Sequence, residues 1–171
     1  SGNFYGKAFQ QINIHGGDSL HAAGFTGKGM HVAIIDAGFY NADKIKFFNK
    51  LDLLGTRDFV NPNSDIYEEH SHGMMVLSCM AANQKDVFVG TAPEASYWLL
   101  RSEDNDTEQP VEEDYWAAAI EFADSVGVDV VNTSLGYYHF DEGYEPYRYR
   151  DLDGHTSLMS HSASMAADKG M

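Results

Sequence analysis

Cysteine is nearly absent from this chain: Cys79 is the only one among 171 residues. A lone thiol cannot close an internal disulfide or build a zinc cluster of cysteines. Set in an apolar run, Cys79 is expected to be a small buried side chain. Basic residues are also scarce, with 11 Lys and Arg against 26 Asp and Glu, giving a formal charge of −15. Such a surface opposes phosphate backbones and anionic lipid, which weighs against a nucleic-acid partner. No apolar stretch reaches the roughly 18 residues of a membrane span. The opening SGNFYGKAFQ lacks the basic start and apolar middle of a signal peptide, so any targeting segment is expected to have been removed. No internal repeat or low-complexity tract is present. What remains, at 43% hydrophobic residues, is long enough to bury a core, and the length favours one domain.

Strand and helix signals alternate along the chain. HVAIIDAGF (31–39) is a short β-branched apolar run that stops at an Asp and a Gly, as a parallel strand buried on both faces does. SHGMMVLSCMAANQ (71–84) is apolar nearly all round and predicts a buried central helix. GTAPEASYWLLR (90–101) reads as a turn and a second strand near Ser96 to Arg101. Pro110 opens the clearest helix, with Glu112, Glu113 and Asp114 at its positive end and Gly127 as its stop. Val111, Tyr115, Ala119, Phe122 and Val126 recur at helical spacing, which predicts the packed face. VDVVNTSLG (128–136) is a third buried strand, and TSLMSHSASMAADKG (156–170) a closing helix. The alternation predicts an α/β fold with a mostly parallel sheet and helices on both faces, its site beyond the strands' carboxyl ends.

Asp36 ends the first strand and His72 begins the central helix, so both point toward that rim. An Asp accepting a hydrogen bond from a His selects the ring's tautomer and stabilises its protonated form, as a general base beside a nucleophile requires. The order of segments resembles the subtilisin-like serine proteases. AIIDAGF is similar to the strand carrying that family's catalytic Asp, and SHGMMVLS to its H-G-T-H-V-A-G helix start. VGTAPEASYWLL resembles the G-V-A-P-x-A turn and strand, and VDVVNTSLG the substrate-binding V-I-N-x-S-L-G. The resemblance implies that Asp36 is the triad acid and His72 the base. It also implies that Ser134, Leu135 and Gly136 form the backbone edge of the primary specificity pocket. His70 precedes the motif and receives no catalytic role. Met74, Met75 and Ser78 depart from the family pattern inside the helix rather than at the proton-transfer atoms.

The same resemblance places the nucleophilic Ser and the oxyanion-hole Asn beyond the substrate-binding strand. GHTSLMSH (154–161) echoes the family's nucleophile helix. Ser157 nevertheless comes too soon after Gly136 for the intervening strands, so Thr156 or Ser157 is better read as a helix cap. Residues 1–171 are accordingly expected to be a truncated, N-terminal portion of a single catalytic domain, inactive alone. The expected partners are a polypeptide substrate and the missing C-terminal portion of the domain. No cofactor or catalytic metal is expected, structural calcium in the parent being compatible but unassigned. The resemblance further implies a secreted or cell-envelope enzyme.

Other readings weigh against this one. A non-catalytic module with a protease-like fold could bind peptides along Ser134 to Gly136 by strand addition. A phosphotransfer domain could use Asp36 as acceptor, but HSHGMM and NTSLG would then lack a purpose. Glu68, Glu69, His70 and His72 could be a metal site, though adjacent side chains on an extended loop diverge. The stretch SEDNDTE, with Glu103, Asp104, Asp106 and Glu108, either draws basic substrate side chains to the cleft or is a solvated acidic loop.

Overall fold

The computed structural model describes residues 2–107, 109–134, 142–144, 148 and 156–171. Three short helices, α1 (Gly2–Tyr5), α2 (Phe9–Ile14) and α3 (Gly17–Ala22), precede the sheet. Tyr5 of α1, Ala8 just before α2 and Ile12 of α2 form a small cluster closed by Val89. The chain then runs through β1 (His31–Asp36), a 3-10 turn (Lys46–Phe48), β2 (Asp52–Asp58) and α4 (His72–Ala81). An antiparallel hairpin of β3 (Asn83–Gln84) and β4 (Phe88–Val89) follows, then β5 (Ser96–Arg101), α5 (Val111–Ser125), β6 (Val130–Thr133) and α6 (Leu158–Asp168).

The main sheet has the order β2-β5-β1-β6, and every pairing in it is parallel. All four carboxyl ends therefore share one rim. Side chains alternate across β1: Val32 and Ile34 pack with Tyr97, Leu99, Leu77 and Ala81 on the α4 face. Ala33 and Ile35 pack with Leu100, Trp116, Ala119, Ile120 and Ala166 on the α5 and α6 face. Burial on both faces gives β1 and β5 their unbroken apolar runs. β2 lies at an edge and is largely exposed and polar, so it carries no such run and went unrecognised in the sequence.

The two crossovers that run through α4 and α5 differ in hand. From β2 through α4 to β5, and from β5 through α5 to β6, the chain steps in the same direction across the sheet. The two helices nevertheless lie on opposite faces. One connection must then be left-handed, against the usual right-handed rule.

Packing corrects four expectations. β6, expected to be a buried strand, lies at an end of the strand order and buries none of Val130–Thr133. α4 is not buried all round: it covers Gly73, Leu77 and Ala81 but leaves Met75 at 50% exposure. Cys79 is exposed rather than buried. The packed face of α5 is Glu112, Glu113, Trp116, Ala119, Ile120 and Ala123, while Val111 is exposed and Tyr115, Phe122 and Val126 are half-buried. The small Ala119 and Ala123 bring this helix close to the sheet, and the Trp116 indole N–H donates to Thr133 Oγ1 at 3.0 Å. Phe122 takes the flank, edge-on to Trp98. At the start of α6, Ser157 is the cap the sequence suggests, its Oγ accepting from the Ser160 N–H at 3.1 Å.

Candidate active site

The last residue of β1 is Asp36, fully buried. Its Oδ1 accepts from the Ala37 N–H at 2.8 Å, and its own carbonyl accepts from the Ser102 N–H at 3.1 Å. The carboxylate is thus held by the turn after its own strand, and the Asp36 backbone by the neighbouring strand's exit. His72, the first residue of α4, brings Nδ1 to 2.9 Å from both carboxylate oxygens. A carboxylate only accepts, so Nδ1 carries a proton, which leaves the lone pair of the neutral ring on Nε2. The His72 side chain is 44% exposed, against 0% for Asp36. The pair therefore consists of a dry acceptor beneath an imidazole that solvent or a ligand can reach.

Close approach of α4 depends on Gly73. A Cβ there would lie 2.4 Å from the Gly38 carbonyl oxygen and 2.9 Å from Asp36 Cβ. Any side chain at residue 73 would push the helix start away from the strand end. His70 has a backbone role: its Nδ1 accepts the His72 N–H at 3.1 Å, satisfying a donor at the helix start that Ser71 leaves uncapped. Its carbonyl accepts from the Tyr40 N–H. With His70 on the backbone and Glu69 turned to Arg101 at 3.5 Å, the loop before His72 does not gather around a common point. Among the described residues, no three of His, Cys, Asp and Glu stand where they would hold a metal ion.

Ser134 leaves the sheet just past β6, exposed; the register sets Thr133 opposite Ile35, so Ser134 emerges at the level of Asp36. Leu135 and Gly136 lie outside the described residues, as does Glu108 of the acidic stretch. In that stretch, Asp104 Oδ1 lies 3.7 Å from Arg101, and the buried Glu112 accepts from the Asp104 and Gln109 N–H groups at 2.8 and 3.0 Å. The loop is anchored by an α5 carboxylate that the sequence marked only as favourable to the helix dipole. Arg101 and Asp58 were also missed. The available signal was a charged residue closing an apolar strand, since a buried cation needs partners.

The fold and this pair define a parallel α/β domain that presents an Asp-backed histidine at its strand-end rim. The chain belongs to the subtilase family, whose family model matches residues 27–170. It is 32% identical over 121 residues to subtilisin E of Bacillus subtilis (strain 168), covering 69% of this chain and 30% of that protein. Subtilisin of Bacillus pumilus is 31% identical over 121 residues, which is 41% of its length. Among solved structures, MycP1 with its N-terminal propeptide removed superposes with a TM-score of 0.61 at 19% identity, over 93% of this chain and 44% of that one. The prenylagaramide maturation protease PagA gives 0.60 at 18% identity, over 90% and 47%. The chain thus spans less than half the length of these relatives.

Proposed function

We propose that the complete protein carrying this chain is a serine endopeptidase that hydrolyses peptide bonds through an acyl-enzyme. The observation that supports this best is the contact of His72 Nδ1 with both oxygens of a fully buried Asp36, at 2.9 Å each. On this reading His72 Nε2 takes the proton of a serine hydroxyl as it attacks the scissile carbonyl, then returns it to the leaving amine. Asp36 holds the tautomer and stabilises the imidazolium between those steps. Ser134, with Leu135 and Gly136, forms the edge along which the substrate backbone lies as an added strand. Peptide binding alone gives no reason for a buried carboxylate aligned on an exposed imidazole, which favours hydrolysis over the binding-module reading.

The nucleophilic Ser and the oxyanion Asn belong, on this proposal, to the C-terminal portion of the same catalytic domain. Residues 1–171 are its N-terminal portion, and the two portions are each other's partners. Among the described residues no serine hydroxyl is bonded to His72, and Ser157 is engaged as the cap of α6. No cofactor is assigned a role, and the enzyme is placed outside the cytoplasm, secreted or in the cell envelope. No helix among the described residues is long and apolar enough to cross a membrane.

The test is turnover of a peptide substrate by the complete protein. Asp36→Asn is expected to lower kcat by about 10⁴-fold with KM nearly unchanged, because it removes the acceptor that selects the His72 tautomer. His72→Ala should cost at least as much. Near-parental turnover in either variant would falsify the assignment.

A further inference from the structure

The catalytic reading leaves unused a buried cation at the same rim. Arg101 closes β5 in register with Asp36 on β1 and with Asp58 on β2, and is only 4% exposed. Its Nε donates to the Ala37 carbonyl at 2.8 Å, one residue beyond Asp36. Its Nη1 donates to Asp58 Oδ2 at 3.1 Å, and Nη2 lies 3.5 Å from Glu69 Oε2, three residues before His72. Asp104 stands further off, at 3.7 Å.

These partners are unequal in stiffness. Asp58 is fixed by its own loop, accepting from the Val60 and Asn61 N–H groups at 2.8 Å each and from the Ser64 hydroxyl. It is therefore an anchor that cannot follow the guanidinium. From that anchor Arg101 reaches in two directions, to the turn that carries Asp36 and to the loop that delivers His72. A guanidinium spans such separate acceptors because its donors radiate in a rigid plane, whereas an ammonium is a point charge on a flexible stem. The burial is tolerated because the charge is matched on several sides.

Asp36 and His72 need this support because they arrive on different elements. One ends an interior strand, and the other opens a helix whose outer side is exposed at Met75 and Cys79. The Gly73 contact lets α4 come close to the strand end, but it does not by itself set the distance between the two side chains. We propose that Arg101 is a positioning residue that locks Asp36 and His72 in register by bridging Ala37 and Glu69 from the Asp58 anchor. It touches neither substrate nor reacting atoms. The inference rests on the serine-peptidase reading of the pair and adds to it the element that holds its geometry.

The experiment uses the complete enzyme with Arg101→Met, Arg101→Lys, Glu69→Ala and His72→Ala, each confirmed folded by its thermal transition. Three readouts are taken: kcat, KM, and the low-field proton resonance of His72 Nδ1–H bonded to Asp36. Arg101→Met is expected to lower kcat by about 10–100-fold, the scale of an ångström-level misplacement, with KM held within about twofold. The low-field resonance should broaden or vanish, which a purely structural role would not cause in the folded fraction. Arg101→Lys should recover the resonance and part of kcat. Glu69→Ala, at a partly exposed loop position, should fold and lower kcat by about threefold to tenfold, since it frees only one end of the bridge. A folded Arg101→Met enzyme with parental kcat and resonance overturns the proposal. Should that variant not fold, parental behaviour of both Arg101→Lys and Glu69→Ala overturns it equally. His72→Ala separates the two levels. Full turnover there defeats the peptidase reading, whereas an inactive His72→Ala beside a fully active Arg101→Met defeats only the role given to Arg101.

Discussion

Of the helices α4 and α5, which cover opposite faces of the sheet, α4 is the more apolar, with no charged residue from Gly73 to Ala81, while α5 opens on Glu112, Glu113 and Asp114. Yet α4 buries only Gly73, Leu77 and Ala81, and α5 buries six residues that include Glu112 and Glu113. Apolarity and burial have parted company because contact shape and hydrogen-bond partners decide burial. α4 meets the strand end through a glycine, a close and narrow contact that delivers His72. α5 lies broadly on Ala33, Ile35 and Leu100, and its buried Glu112 is satisfied by two backbone N–H groups. The helix that presents His72 thus buries fewer residues than the helix on the opposite face.

The contrast breaks most severely at glycine. Gly73→Ala sets a Cβ 2.4 Å from the Gly38 carbonyl oxygen, so α4 must move off Asp36. The expected result is a loss of about 100-fold in kcat of the complete enzyme together with about 1–3 kcal/mol of stability. Gly127→Ala, at the end of α5, meets nothing within 4 Å but stands at φ +75°, where a side chain is strained. It should cost about 1 kcal/mol in denaturant unfolding and leave kcat unchanged. Equal kinetic effects from the two substitutions would erase the distinction between the faces.

A smaller effect is expected at Trp116. Trp116→Phe keeps most of the apolar contact but removes the donor to Thr133 Oγ1, which should lower the unfolding free energy by about 1–2 kcal/mol. Turnover should stay within about twofold, because α5 touches neither member of the pair. A tenfold loss in kcat would mean that the α5 face also sets the chemistry.

The smallest effect concerns Tyr97, buried on the α4 face, whose hydroxyl donates to the Ala92 carbonyl at 2.7 Å. Burial holds its phenol well above the ordinary value of 10.0. Above that pH the unfolded chain releases a proton that the folded chain retains, so the contribution present below pH 10 is lost as pH rises toward the folded value. Denaturant midpoints from about pH 8 to about pH 11 should therefore fall less steeply in Tyr97→Phe. At neutral pH the variant should lose about 1 kcal/mol for the missing hydrogen bond. An alkaline limb identical to the parent's would show that Tyr97 ionises freely in the folded state.

Parts of this molecule that obey local rules were legible in the sequence. β1 and β5 are unbroken apolar runs because both their faces are covered, and β5 occupies Ser96–Arg101 as read. His72 opens α4, Ser157 caps α6, and Asp36 closes β1, each placed by neighbours a few residues away. The α5 face was misjudged by about one position because Trp116 finds Thr133 and Glu112 finds Asp104, partners that helical periodicity does not encode. Cys79 was expected inside because its neighbours are apolar, but it faces the side of α4 turned away from the sheet.

By itself, then, the sequence determined where the interior strands β1 and β5 and the long helices lie, which ends they present, and through four ordered motifs the family to which the chain belongs. Those features depend on side-chain alternation, capping and composition, which act within a turn or a strand. Only the tertiary structure decided that polar β2 joins the sheet, that α4 and α5 take opposite faces, and that Nδ1 of His72 meets both oxygens of Asp36. The partners Ala37, Asp58 and Glu69 of Arg101 belong to the same class, drawn from three separate segments of the chain. Such contacts follow from parallel register and crossover topology, which pair residues far apart in sequence and leave no periodic trace in either partner alone.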